Sequence, residues 1–113
     1  MLLNKGTFEG KRVLSEKAVA EIETAQFASL PVKFLPAGEQ GAHMGLGCFI
    51  TNMGASGAPT AFASPSLLGT AAFLDTCRNY SAVIIVEKPQ EEKKPLYQSL
   101  MNLIGEAVGG SCN

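Results

Sequence analysis

The sequence predicts an α+β fold: a small, mostly antiparallel sheet with two C-terminal helices packed on one face. Three observations lead there. Tyr80 to Val86 (YSAVIIV) is a β-branched run without polar alternation, the pattern of a strand buried on both faces. Pro95 to Val108 carries Leu96, Leu100, Leu103, Ile104 and Ala107 on one helical face, opens on proline and is closed by Gly109-Gly110. Between Gln40 and Leu74 there is no formal charge, and His43 and Cys48 are the ionisable groups of that stretch. A charge-free block of this length is normally hidden from water in a core, a pocket or an interface.

The elements follow in chain order. Residues 1–14 hold a short apolar start, a turn region flanked by Gly6 and Gly10, and the run Arg12-Val13-Leu14, readable as a strand or as the approach to a helix. Ser15 is suited to cap a helix over 16–28, with Glu16 in its first turn. The alternation of Ala18, Ala20 and Ile22 keeps a strand open as an alternative there. Pro31 and Pro36 bracket a short strand over 32–35, and 37–41 reads as a turn. A buried strand is expected over 44–51, with Gly45 and Gly47 marking a bulge or a close approach. The composition of 52–60 reads as a loop. Ser64-Pro65 resembles a cap and first helical position, so a largely apolar helix is expected over 65–78. Strand 81–87 is expected at the centre of the sheet, a charged linker over 88–94, the last helix over 95–108, and a frayed tail over 111–113.

At 113 residues, the chain reads as a single compact domain, 1–113, able to bury on the order of two-thirds of its unfolded surface. Only 17 % of residues are charged, and the net charge is −1. Low charge favours a homo-oligomer, such as a homodimer, because little repulsion opposes pairing. The bases Lys11, Arg12, Lys17, Lys88, Lys93 and Lys94 are interleaved with Glu9, Glu16, Glu87, Glu91 and Glu92. That mixing leaves no basic stripe and argues against nucleic acid as a partner.

Cys48, Cys77 and Cys112 are too widely spaced for a structural metal site, so no metal or other cofactor is expected. The apolar start is too short for a signal peptide, and no window is apolar enough to span a membrane. The expectation is a cytoplasmic protein with free thiols and no membrane partner.

His43, between two glycines in G-A-H-M-G, is a candidate general base or hydrogen-bonding group. Cys48 is a candidate nucleophile if a cation or helix end lowers its pKa, but core packing is the commoner role for such a thiol. On a continuous strand, positions 43 and 48 point to opposite faces, which argues against a dyad. Asp75 is a third catalytic candidate, with a pairing to Arg78 at i+3 as its structural role. Glu21 and Glu23 read as a solvated face. The glycine pattern of 45–50 lacks the third glycine of a dinucleotide loop, and Gly10-Lys11 is not followed by Ser or Thr as a P-loop requires.

Three functions are compatible with these residues. One is a homo-oligomeric module binding a small, largely apolar ligand among Phe34, Met44, Phe49, Phe62 and Phe73, with His43 and Asn52 as polar anchors. Another is an adaptor or regulatory subunit whose uncharged 40–74 block is a protein interface. The last is a small enzyme using His43, with Asp75, or Cys48.

Overall fold

The computed structural model describes residues 1–30, 32, 43–66, 70–86 and 90–110. The expected strand over 32–35, with Phe34, and the turn over 37–41 lie outside the described residues but for Val32, which belongs to no element. Cys112 and the tail also lie outside them.

The chain opens with a 3-10 turn, Leu2–Asn4, followed by two short strands, β1 (Thr7–Phe8) and β2 (Lys11–Arg12). They pair antiparallel, Thr7 opposite Arg12 and Phe8 opposite Lys11. Glu9 and Gly10 make the turn, both at positive φ (47° and 75°), the conformation whose twist suits a two-residue hairpin. Arg12 ties the hairpin to its surroundings, donating to the Lys5 carbonyl at 2.6 Å and pairing with Glu16 at 3.5 Å. At Gly6 (φ 91°) a Cβ would collide with the Leu14 carbonyl oxygen, so the chain needs glycine there.

The helix expected from Ser15 forms as α1 (Glu16–Glu23), and the Ser15 hydroxyl accepts from the Ala18 N–H at 3.1 Å. It ends five residues before the expected boundary. Beyond it the chain extends, and Gln26 N–H donates to the Met44 carbonyl at 2.6 Å, lengthening the edge of the main sheet.

That sheet has five antiparallel strands in chain order: β3 (His43–Met44), β4 (Phe49–Met53), β5 (Pro59–Pro65), β6 (Ala71–Asp75) and β7 (Tyr80–Ile84). The register sorts side chains onto two faces. Ile50, Phe62, Leu74 and Ser81 lie side by side on one face; Met44, Phe49, Ala63, Phe73 and Ala82 share the other. The 3-10 turn and the end of α1 lie over the first face, where they form one cleft with Phe62 and Leu74. The last helix, α2 (Gln90–Val108), meets the second at Tyr97, whose ring lies 6.2 Å from that of Phe73. Its far end is tied down where Arg78 Nε donates to the Gly110 carbonyl at 3.2 Å.

Buried apolar side chains come from both layers: Val19, Ile50 and Phe62 towards α1; Ala63, Ala71 and Tyr97 towards α2. Four of these six fall in the charge-free block. The block supplies β3 to β5 and β6 up to Leu74, in which buried Ile50, Ala63 and Ala71 alternate with exposed Thr51, Ser64 and Ala72.

The expectations divide accordingly. Among the described residues the fold is α+β with two antiparallel sheets, and one C-terminal helix rather than two. Of the helix expected over 65–78, Pro65 is instead the end of β5, Ala71–Asp75 form β6 and 76–78 lie in a turn, while 67–69 are outside the described residues. Ser64-Pro65 closes a strand rather than capping a helix, and pairing with β5 and β7 overrides the helical preference of Ala71, Ala72 and Leu74. The loop expected over 52–60 narrows to a hairpin turn in which Gly54 N–H donates to the Ala58 carbonyl at 2.8 Å. The strand expected over 44–51 is split by a turn at Gly45–Cys48 into β3 and β4. Strand β7 lies at the sheet edge rather than its centre, because a meander places its last strand outermost. Finally, α2 begins at Gln90, before Pro95.

Candidate functional site

A cleft of about 330 Å³ lies on the α1 side of the main sheet. Its floor is formed by Phe62, Leu74 and Ser81 across three adjacent strands, and its wall by Leu2, Leu3 and Ile22. Met1 also lines it, and Glu23, Cys48, Ser64 and Ser81 are the lining residues with polar side chains.

Local sequence puts them there. Val19, Ile22 and Glu23 share one side of α1, being related by i+3 and i+4, so the face that packs also carries a carboxyl. The helix end is seated by backbone contacts: Leu46 N–H donates to the Ile22 carbonyl at 3.1 Å, and Cys48 Sγ lies 3.7 Å from the same oxygen. Gly45 permits this approach. A Cβ there would stand 2.6 Å from the Ile22 oxygen and 2.9 Å from Cys48 Sγ. Of the two roles open to the strand glycines, Gly45 serves a close approach of backbone.

Glu23 is the least accommodated group in the cleft. Its Oε1 is buried without a hydrogen-bond partner. Burial pushes its carboxyl above the ordinary value, while Lys5 draws it partly back. Among the described residues no ion pair joins it to a cation. The same environment acts on Cys48, whose thiol is pushed up by burial and further by Glu23. A nucleophilic thiol needs the opposite shift. Cys48 is free, whereas Cys77, expected as a free thiol, is disulfide-bonded.

The candidates named from sequence are dispersed. His43 and Met44 border a second, smaller cavity of about 190 Å³ with Gln26, Phe27, Leu30 and Val32, while Cys48 borders the larger one. Neither of these two cavities is bordered by both His43 and Cys48. Asn52 is exposed and spends its amide on the Thr60 hydroxyl at 3.1 Å. Phe62 lines the larger cleft; Phe73 borders it from β6 but turns its ring to Tyr97 on the opposite face, where Phe49 also points. Of the aromatic residues expected to surround one ligand, Phe62 thus stands on one side of the sheet and Phe49 and Phe73 on the other.

Asp75 is 5 % exposed and committed to Arg78, accepting from its backbone N–H at 2.7 Å and from Nη1 at 2.9 Å. The i+3 pairing is present, but across the β6–β7 turn rather than along a helix.

Reading the sequence missed Glu23 and the Leu2–Leu3 wall. A signal for Glu23 was available: its i+4 relation to Val19 places it on the packed side, away from Glu21. Leu2 and Leu3 carried no such signal, because two leucines in a short apolar start have no period. The chain matches no model of a known protein family, and no curated protein matches its sequence. The geometry and chemistry of the cleft therefore carry the functional reading.

Proposed function

We propose that this protein is a small-molecule binding module, and that its ligand is a small, largely apolar compound held in the cleft between the 3-10 turn, the end of α1 and strands β5 to β7. The observation that carries this reading is the cleft itself: about 330 Å³, walled by Leu2, Leu3, Ile22, Phe62 and Leu74, with a few polar groups converging on it. Clefts of roughly 300–1,000 Å³ with apolar walls and sparse polar anchors are the usual form of small-ligand sites. The test is a thermal-shift and NMR screen with compact apolar compounds, on the natural chain and on Ala72→Trp. Ala72 is exposed on the cleft side of β6, so an indole there fills the cavity without disturbing the core. Compounds that raise the melting temperature of the natural chain and not of Ala72→Trp support the reading. Shifts equal in both proteins reject it.

A second reading concerns assembly, and strand β7 favours it. β7 is an outer strand, uncharged from Tyr80 to Val86, and Val83 and Ile85 beside it are 65 % and 80 % exposed. Lysines, prolines and bulges usually protect such an edge. Their lack here suits pairing with another strand, and two copies of β7 running antiparallel form a symmetric homodimer. This interface lies at the sheet edge, apart from the one expected over the 40–74 block. Light scattering over a range of concentrations tests this: self-association supports it, and a monomer throughout rejects it.

A further inference from the structure

Resting on the cleft reading, we propose a chemical class for the ligand: an amphiphile with an apolar body and a cationic N–H donor head, an alkyl- or arylalkyl-ammonium, whose head pairs with Glu23.

The fold leaves Glu23 uncompensated. It is the last residue of α1, where unpaired carbonyls make a negative helix end, and no basic residue stands in that last turn. One carboxylate oxygen is buried and has no donor. The surrounding surface is apolar, supplied by Ile22, Phe62 and Leu74. Helix end, burial and missing partner all act against the charged carboxylate. Lys5 is the nearby cation and stops short of an ion pair.

A cationic donor entering the cleft would remove each of these costs. It would satisfy the orphan oxygen, neutralise the carboxylate and oppose the negative helix end. Its apolar body would cover Phe62 and Leu74. An anionic head would meet Glu23 as a like charge, and a neutral hydroxyl would supply the hydrogen bond without the charge. Cys48 and Ser81 are compatible neighbours, because neither carries a competing positive charge.

The experiment compares three probes that share one body: phenylbutylamine, phenylbutanol and phenylbutanoate. Binding is measured by NMR titration at neutral pH to the natural chain, to Glu23→Gln and to the exposed control Glu21→Gln. The proposal expects the amine to bind about tenfold or more tighter than the alcohol, the carboxylate weakest, and this order to vanish in Glu23→Gln but persist in Glu21→Gln. Equal binding of all three probes, abolished by Ala72→Trp, would overturn the ammonium assignment and leave the cleft reading standing. An amine preference that survives Glu23→Gln would also overturn it. No binding by any probe would overturn both.

Discussion

Asp75 grips Arg78 at two points: its carboxylate accepts from the Arg78 backbone N–H at 2.7 Å and from the guanidinium Nη1 at 2.9 Å. The two contacts close the β6–β7 turn, which also carries Asn79 at φ 56° and the disulfide-bonded Cys77. Through Nε, the same guanidinium reaches the Gly110 carbonyl, so one buried carboxylate organises a turn and the anchorage of α2.

Removing that carboxylate leaves two donors without their acceptor. Asp75→Ala is expected to lower stability by about 2–4 kcal/mol, less than a fully buried pair because Arg78 is partly exposed. Urea unfolding checks it. A loss under about 0.5 kcal/mol would show that water replaces both contacts.

The two glycines of the β3–β4 turn should respond for different reasons. Gly45→Ala forces a methyl against the Ile22 carbonyl and Cys48 Sγ, and about 1–3 kcal/mol of strain is expected, with displacement of the α1 end. Gly47→Ala meets open space but must hold φ 76°, for about 1 kcal/mol. Denaturation curves give both values, and NMR shifts around Ile22 and Glu23 should change more in Gly45→Ala.

Glu23 imposes a pH dependence whose sign can be worked out. Its folded-state pKa lies above the ordinary value of 4.5. In the window between the two, the folded state holds more protons than the unfolded state. Its contribution to stability is therefore fully present below about 4.5 and declines as pH rises through the folded value. Glu23→Gln should flatten this decline and be the more stable protein at neutral pH, the difference shrinking towards pH 4. Thermal melts across this range measure it; parallel curves for the two proteins would contradict the assignment.

Cys48 should behave as an unreactive thiol. Burial and Glu23 both favour its protonated form, so alkylation by iodoacetamide at neutral pH is expected to be slower than for a free cysteine. Glu23→Gln should speed it modestly. Alkylation faster than the free amino acid would restore Cys48 as a nucleophile.

Strand β7 is expected to respond to charge. Val83→Lys and Ile85→Lys replace side chains already facing water, so the fold should persist while self-association weakens. Sedimentation at several concentrations distinguishes this from a monomer in which neither change alters mass.

How much of this was legible in the sequence depends on how local each signal is. The Ser15 cap and the last helix were readable, because a helix closes its hydrogen bonds within one segment, whereas 16–28 left helix and strand both open until the structure formed α1. The strand character of 80–84 was readable from β-branching, and the Asp75–Arg78 pair from its spacing of three. The helix assigned to 65–78 failed because Ala and Leu fit either structure, and the choice was made by β5 and β7 on either side.

By itself, then, the sequence determined the α+β class, the Ser15 cap and a C-terminal helix through Val108. Tertiary structure decided which side of each strand faced which layer. That choice separated Phe62 from Phe73, set His43 and Cys48 at different cavities, and brought Glu23 beside Leu2 and Leu3. A strand alternates its side chains, so a residue's neighbours are fixed by register with other strands, and register is a property of the assembled sheet rather than of any one segment.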